Sequence, residues 1–242
     1  MLKLPLINPL RALASLFYPS LCAVCAAPVE AEEYLCDPCA RKAPRIKAPF
    51  CARCSEPFQG AITEEFACAN CADRTLHFDA AVSAFRSRGV VRKIIHDFKY
   101  GHHQHLQHPV AEWLSETLED PRLHGRRFDV LVPVPLHPTR QRERGFNQAA
   151  LLADSLSRQS GIPVLPALVR IRYTTTQTAF ERTERIENLR DAFRLRKNTS
   201  VRELRVLLID DILTTGSTLN ECARVLKAGG AISVHAATAA RA

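Results

Sequence analysis

The chain has 242 residues, of which 46% are hydrophobic, and a formal net charge of +8 at pH 7. That apolar fraction is ordinary for a globular protein and sufficient for one large domain, or for a small domain and a medium one. No stretch approaches the ~18 uninterrupted apolar residues of a membrane-spanning helix. The charge is unevenly placed: residues 1–76 hold eight Lys/Arg and eight Asp/Glu, whereas residues 77–242 hold 25 and 17. An anionic ligand bound by the second part is the simplest explanation. Nucleic acid is the other candidate, because clustered Lys and Arg also serve phosphodiesters.

Residues 1–20 are expected to form a short helix, with Asn8 as N-cap and Pro9 in the first turn. Leu10, Leu13, Ala14 and Phe17 then share one face, which docks on the protein's own core or, in the alternative, on a membrane or partner. Pro5, Pro9 and Arg11 interrupt the segment, and no small-residue cleavage site follows, so it does not read as a signal peptide.

Residues 21–76 are expected to form a double zinc-finger module. Eight cysteines make four Cys-x-x-Cys pairs: Cys22/Cys25, Cys36/Cys39, Cys51/Cys54 and Cys68/Cys71. Such a knuckle places two thiolates on one side of a tight turn, and two knuckles complete a tetrahedral Zn2+ site. A disulfide framework is the competing explanation, disfavoured by the paired spacing and by the lack of a signal peptide. Two structural zinc ions follow, with knuckles paired either sequentially or cross-braced. Each site would carry about −2 net charge from four thiolates and one Zn2+, which makes the module a poor clamp for DNA. The ninth cysteine, Cys222, shares helical spacing with Leu219, Ala223 and Leu226 and reads as core.

Residues 77–242 read as an α/β domain. Phe78 to Phe85 is a strand and Val90 to Tyr100 an amphipathic helix. His102, His103, His105 and His108 fall in a polar loop entering the next helix, with metal binding there the lesser reading. Asp129 to Pro135 is a buried strand stopped by prolines. A basic loop with Arg140, Arg142 and Arg144 follows, and then Gly145-Phe146-Asn147-Gln148 opens a helix running to about Ser160. A strand delivering arginines to its C-terminal end suits pyrophosphate, although any one of them could be merely solvated. Between Arg170 and Phe193, a polar segment with Gln177, Arg185 and Asn188 is either a hood over the site or a solvated helix. After Gly229-Gly230, Ile232 to Ala237 is the last strand.

The run from Val206 to Thr218 is the most informative. Val206 to Ile209 reads as a buried parallel strand, followed by Asp210 and Asp211 and then by Thr214-Thr215-Gly216-Ser217-Thr218 before a helix. Backbone N–H groups at a helix N-terminus favour a phosphate, the hydroxyls add donors, and Gly216 lets backbone approach the anion. The aspartates accept hydrogen bonds from sugar hydroxyls. The local chemistry therefore suits a ribose carrying a 5′-phosphate. No Gly-Lys-Ser/Thr is present, which disfavours a Walker-type loop.

This run resembles the phosphoribosyl pyrophosphate (PRPP) signature of type I phosphoribosyltransferases. The wider order is the four Cys-x-x-Cys pairs, Phe98 to Gly101 (FKYG), Val132 to Pro135 (VPVP), Arg144 to Gln148 (RGFNQ), Gln177 with Arg185 and Asn188, Ala192-Phe193 and the acidic loop. It is similar to the ComF family of competence-associated, phosphoribosyltransferase-like proteins. The resemblance implies a type I phosphoribosyltransferase-like parallel sheet flanked by helices and preceded by a small Cys-rich zinc-binding module. It also implies Asp210 and Asp211 on the ribose, Thr214 to Thr218 on the 5′-phosphate, and Mg2+ with Arg142 or Arg144 on the pyrophosphate. A role in natural competence and DNA uptake follows, with single-stranded DNA and uptake proteins as partners, in the cytoplasm at the inner face of the membrane. The alternative implied is an active phosphoribosyltransferase of nucleotide metabolism with an unnamed acceptor. A zinc-stabilised scaffold without a small-molecule ligand has no need of this loop.

Overall fold

A computed structural model describes residues 20–60, 66–72, 74–101, 103–173 and 189–242. The expected N-terminal helix face, His102 and the segment carrying Gln177, Arg185 and Asn188 lie outside the described residues.

The described residues begin with two ribbons of the same design. In the first, Leu21 bridges Pro28, the Cys22 N–H donates to the Ala27 carbonyl, and the knuckle closes from the Ala26 N–H to the Cys22 carbonyl. In the second, Phe50 bridges Pro57, the Cys51 N–H donates to the Glu56 carbonyl, and the Ser55 N–H reaches the Cys51 carbonyl. Each ribbon ends on a single helical turn, α1 (Asp37–Ala40) and α2 (Ala69–Ala72), which carries the last cysteine of its four.

Four parallel strands form the main sheet in the order β1 (Ala80–Arg86), β6 (Ser233–Arg241), β5 (Arg205–Leu213), β2 (Val130–Pro133). A parallel bridge from Leu131 to Val164 continues the sheet beyond β2. Parallel strands are covered on both faces, and Val206 to Ile209 are accordingly all fully buried. On one face lie α3 (Gly89–Tyr100), α4 (Gln107–Ser115) and α6 (Gln148–Ser160), contributing Ile94, Phe98, Val110, Leu114, Leu152 and Leu156 to one core cluster. On the other lie α7 (Ser217–Ala228) and the antiparallel pair β3 (Leu168–Arg170) and β4 (Phe193–Leu195).

The second ribbon shares that other core: Cys51, Cys54, Cys68 and Cys71 are buried in one cluster with Phe78, Leu208, Leu213 and Leu219. The outer edge of β1 is covered as well. Residues 44–46 pair with it through the Ile46 N–H to Ala84 and the Arg86 N–H to Pro44, while the Ala81 N–H donates to Arg53. The fully buried Ser55 hydroxyl donates to the Ala81 carbonyl and accepts from the Ser83 N–H and from Arg122. An edge strand is thereby paired rather than left open.

Two elements differ from the sequence reading. Arg140, Arg142 and Arg144 lie on a helix, α5 (Pro138–Arg144), not on a loop. Pro138 in its first turn, a His137 Nδ1 cap on the Thr139 N–H and left-handed Gly145 at its end define it without any apolar stripe. The last strand runs on to Arg241 rather than stopping at Ala237, and this lengthens β5 with it.

Candidate functional site

Asp210 and Asp211 lie within β5, not beyond its end. β6 supplies partners past them: Asp210 pairs with Thr238, Ile212 with Ala240 and Leu213 with Arg241. Side chains alternate along a strand, so the two carboxylates leave opposite faces. Asp211 is 3% exposed, and its Oδ1 lies 2.9 Å from Lys99 Nζ at the end of α3. Its Oδ2 is buried and has no hydrogen-bond partner among the described residues. Asp210 is half-buried, accepts a 2.9 Å hydrogen bond from the Asp211 N–H, and interacts by charge with Arg170. Burial raises its carboxyl to about 7; the Asp211 charge adds to the rise and Lys99 opposes it. Burial, and then the Asp210 charge, push the Cys222 thiol well above its usual range, in keeping with a core cysteine.

Thr214 to Gly216 connect β5 to α7. Gly216 is the N-cap in the left-handed region at φ 75°, a conformation that glycine adopts without strain. Thr214 is exposed, Thr215 and Thr218 are half-buried, and Gly216 and Ser217 are buried. The Thr215 and Ser217 hydroxyls are 2.9 Å apart. The first-turn N–H groups of α7 have no intrahelical partner, and the macrodipole favours an anion there.

A small cleft of about 110 Å³ is lined by Lys99, Tyr100, Arg140, Glu143 and Arg144. Arg144 lies over the Tyr100 ring at 5.1 Å and Arg140 over Tyr173 at 5.6 Å. Positions four apart share a helix face, so α5 directs Arg140 and Arg144 to the cleft. Arg142, on the other side, is exposed and does not line it. The end of β2 is held level with the acids by the Val134 N–H on the Ile209 carbonyl, at 3.0 Å.

The eight paired cysteines form two groups, Cys22, Cys25, Cys36 and Cys39, and Cys51, Cys54, Cys68 and Cys71. Within each, the sulfurs all lie within 4.8 Å of one another, so neighbouring knuckles converge in sequence and are not cross-braced. The donor set fits Zn2+. In the second group hydrogen bonds from Cys54 and Cys71 push the Cys51 thiol down, while Cys51 pushes Cys54 up to about 12 and Cys71 up as well. Zn2+, when bound, would take the four sulfurs as thiolates. The histidines after Gly101 form no such group among the described residues; His105 and His108 stack on Tyr34 of the first ribbon.

A family model described as "Double zinc ribbon domain" matches residues 13–75, and "Phosphoribosyl transferase domain" matches residues 99–242. Over 217 residues the chain is 33% identical to Competence protein F of Haemophilus influenzae, covering 88% of this chain and 92% of that one. The chain belongs to the ComF family. Competence protein ComFC of Bacillus subtilis is 31% identical, with 87% of this chain and 85% of the relative covered. DNA utilization protein YhgH of Escherichia coli K12 is 32% identical over 225 residues, 90% of this chain and 95% of that one.

In this ComF-family chain, one basic residue at the site, Lys99, escapes a reading of sequence alone. Lys99 follows the buried Ile95 by four positions on α3, which places it beside the apolar stripe and was the available signal. Arg140 stands four before Arg144, but that spacing matters only once the segment is helical.

Proposed function

We propose that this protein binds PRPP with Mg2+ at the C-terminal edge of its sheet and serves natural competence and DNA utilisation. The observation that carries this reading is the Lys99–Asp211 pair, which joins the acids of β5 to the cationic cleft. Asp210 and Asp211 hold the ribose hydroxyls. Thr214, Thr215, Gly216, Ser217 and Thr218 hold the 5′-phosphate, and Arg144 with Arg140 and Lys99 holds the pyrophosphate, with Arg142 near its rim. Mg2+, when bound, neutralises pyrophosphate charge. Zn2+ held by the two cysteine groups has a structural role, as four-thiolate sites leave no open position.

The names of the relatives support the competence role, and the exposed aromatic rings support single-stranded DNA as a partner. Tyr100 lines the cleft under Arg144, and Tyr173 lies under Arg140; both rings are about half exposed, the pairing of stacking ring and cation that single strands use. Among the described residues no helix is long and apolar enough to cross a membrane. Work in the cytoplasm, reaching the inner membrane face through uptake proteins, accords with thiol clusters that need a reducing compartment. Isothermal titration with PRPP and Mg2+ tests the binding claim. A single-site isotherm lost in Asp210→Ala/Asp211→Ala is the expected result; undiminished binding overturns it.

A further inference from the structure

A phosphate cradle requires its N–H groups to face the anion, so its carbonyls must be held away; a reversed peptide would aim an oxygen at the phosphate. Here three successive carbonyls are held. Leu213 accepts from the Ala242 N–H at 2.9 Å and from Arg241 Nη1 at 3.2 Å. Thr214 accepts from Arg241 Nη1 as well. Thr215 accepts from Arg74 Nη2 at 2.6 Å and from Asn70 Nδ2 at 3.3 Å.

The side-chain donors are tied to the second ribbon. Asn70 lies on α2 between Cys68 and Cys71. Arg74 follows shortly after, and a Cβ at Gly216 would stand 3.0 Å from its Nη2. Arg241 is buried and pairs with Glu56, two residues beyond Cys54. The same segment also grips the first turn of α7: Asn220 accepts from the His77 N–H at 2.7 Å and donates to the Thr75 carbonyl at 3.1 Å.

We infer that the second four-cysteine ribbon is the positioning element of the Thr214–Thr218 loop, acting on its carbonyls through Asn70, Arg74 and the Glu56–Arg241 pair. This rests on the reading of that loop as a phosphate cradle. None of these residues is assigned to the ligand; they fix the loop that meets it. Zinc held by Cys68 and Cys71 would fix the path of α2 and so the place of Asn70, which makes the ribbon part of the ligand site rather than a detached fold aid.

The test uses the full-length, zinc-loaded protein and the variants Asn70→Ala/Arg74→Ala, Arg74→Lys and Glu56→Gln. Zinc content, amide hydrogen exchange of the loop and of β5, and titration with PRPP and Mg2+ are read on each. In Asn70→Ala/Arg74→Ala, zinc content and β5 protection stay at the wild-type level. Loop exchange speeds up and PRPP binding weakens, each by about tenfold, as losing charge-assisted bonds to one carbonyl entails. Arg74→Lys, which keeps a cation near Thr215, recovers most of both losses. Glu56→Gln moves both in the same direction by less and stands in if the double variant does not fold. Loop exchange and PRPP affinity equal to wild type in Asn70→Ala/Arg74→Ala and in Glu56→Gln overturn the inference and leave the PRPP reading intact. Faster loop exchange in a protein whose wild type ignores PRPP upholds the latch and overturns the ligand.

Discussion

Lys99 Nζ lies 2.9 Å from Asp211 Oδ1, with the lysine side chain 18% exposed and the carboxylate 5% exposed. A pair this far out of water is held by mutual need: either partner alone is a buried charge without compensation. The contact ties the C-terminus of α3 to the middle of the proposed ligand edge, so on the PRPP reading the same two side chains serve both stability and binding.

Lys99→Met should therefore cost about 3–5 kcal/mol, as removal of one partner of a buried ion pair does. Lys99→Met/Asp211→Asn should cost clearly less than the sum of the single variants. Urea unfolding of the four proteins measures the coupling. Additive losses would show that the pair carries no shared stabilisation.

The carboxyl of Asp210, raised to about 7 by burial and by Asp211, sets a pH dependence of definite sign. An acid with its folded pKa above its unfolded value contributes stability in full below about pH 4, where the unfolded chain is protonated too. That contribution is lost as pH climbs through about 7. Ligand binding runs the other way, because ribose hydroxyls and a nearby cation favour the ionised form. PRPP and Mg2+ should bind more tightly as pH rises from 6 to 8, roughly tenfold where one proton is released. Titrations in two buffers of different ionisation enthalpy count that proton. Asp210→Asn should flatten the profile, and a wild-type profile already flat contradicts the assignment.

What could be read in advance follows from how local each cause is. Val206 to Ile209 announce a buried parallel strand by their own composition, and four Cys-x-x-Cys pairs announce metal sites by spacing. The extension of β5 past Asp210 and Asp211 could not be read, because it depends on β6 partners some 28 residues away, Thr238 and Ala240 among them. The α5 helix was hidden for a different reason: it buries no residue, so no apolar period marks Pro138 to Arg144. Knuckle pairing stays open in sequence because ten- and thirteen-residue gaps fit either arrangement; in the fold the Ala23 N–H donates to the Tyr34 carbonyl and the Ala52 N–H to the Phe66 carbonyl, which brings each knuckle to the next one along the chain. Asn70 and Arg74 carry no motif at all, since their partner is a backbone carbonyl far along the chain.

The face of α5 that meets the cleft gives a three-way comparison. Arg140→Ala and Arg144→Ala should each weaken inhibition of PRPP binding by inorganic pyrophosphate about tenfold, the scale of one charge-assisted contact. Arg142→Ala, whose side chain is exposed on the other side, should weaken it by less than about threefold, through screened charge alone. Raising salt should erase the effect of Arg142→Ala first. Equal losses from all three would mean that the arginines act as a diffuse field and not as a built pocket.

The two cysteine groups should part company when metal is withdrawn. All four sulfurs of Cys51, Cys54, Cys68 and Cys71 are buried in the core that holds Phe78, Leu208 and Leu219, whereas Cys25 is exposed and Cys36 half-buried in the first group. A chelator reaches a metal through solvent, so zinc should leave in two phases, the faster from the first group. Structural zinc in such sites is worth on the order of 10 kcal/mol of folding free energy, and here the second group's share is spread into the sheet. Cys25→Ser should halve the zinc content and leave the thermal midpoint of the sheet within a few degrees of wild type. Cys54→Ser should halve it too, but lower that midpoint by about 10 °C or more, since a loss of several kcal/mol moves a domain of this size by that amount. Elemental analysis after dialysis, paired with circular dichroism melts, separates the cases. A single release phase with equal midpoints for Cys25→Ser and Cys54→Ser would mean that the second ribbon is no more bound up with the sheet than the first.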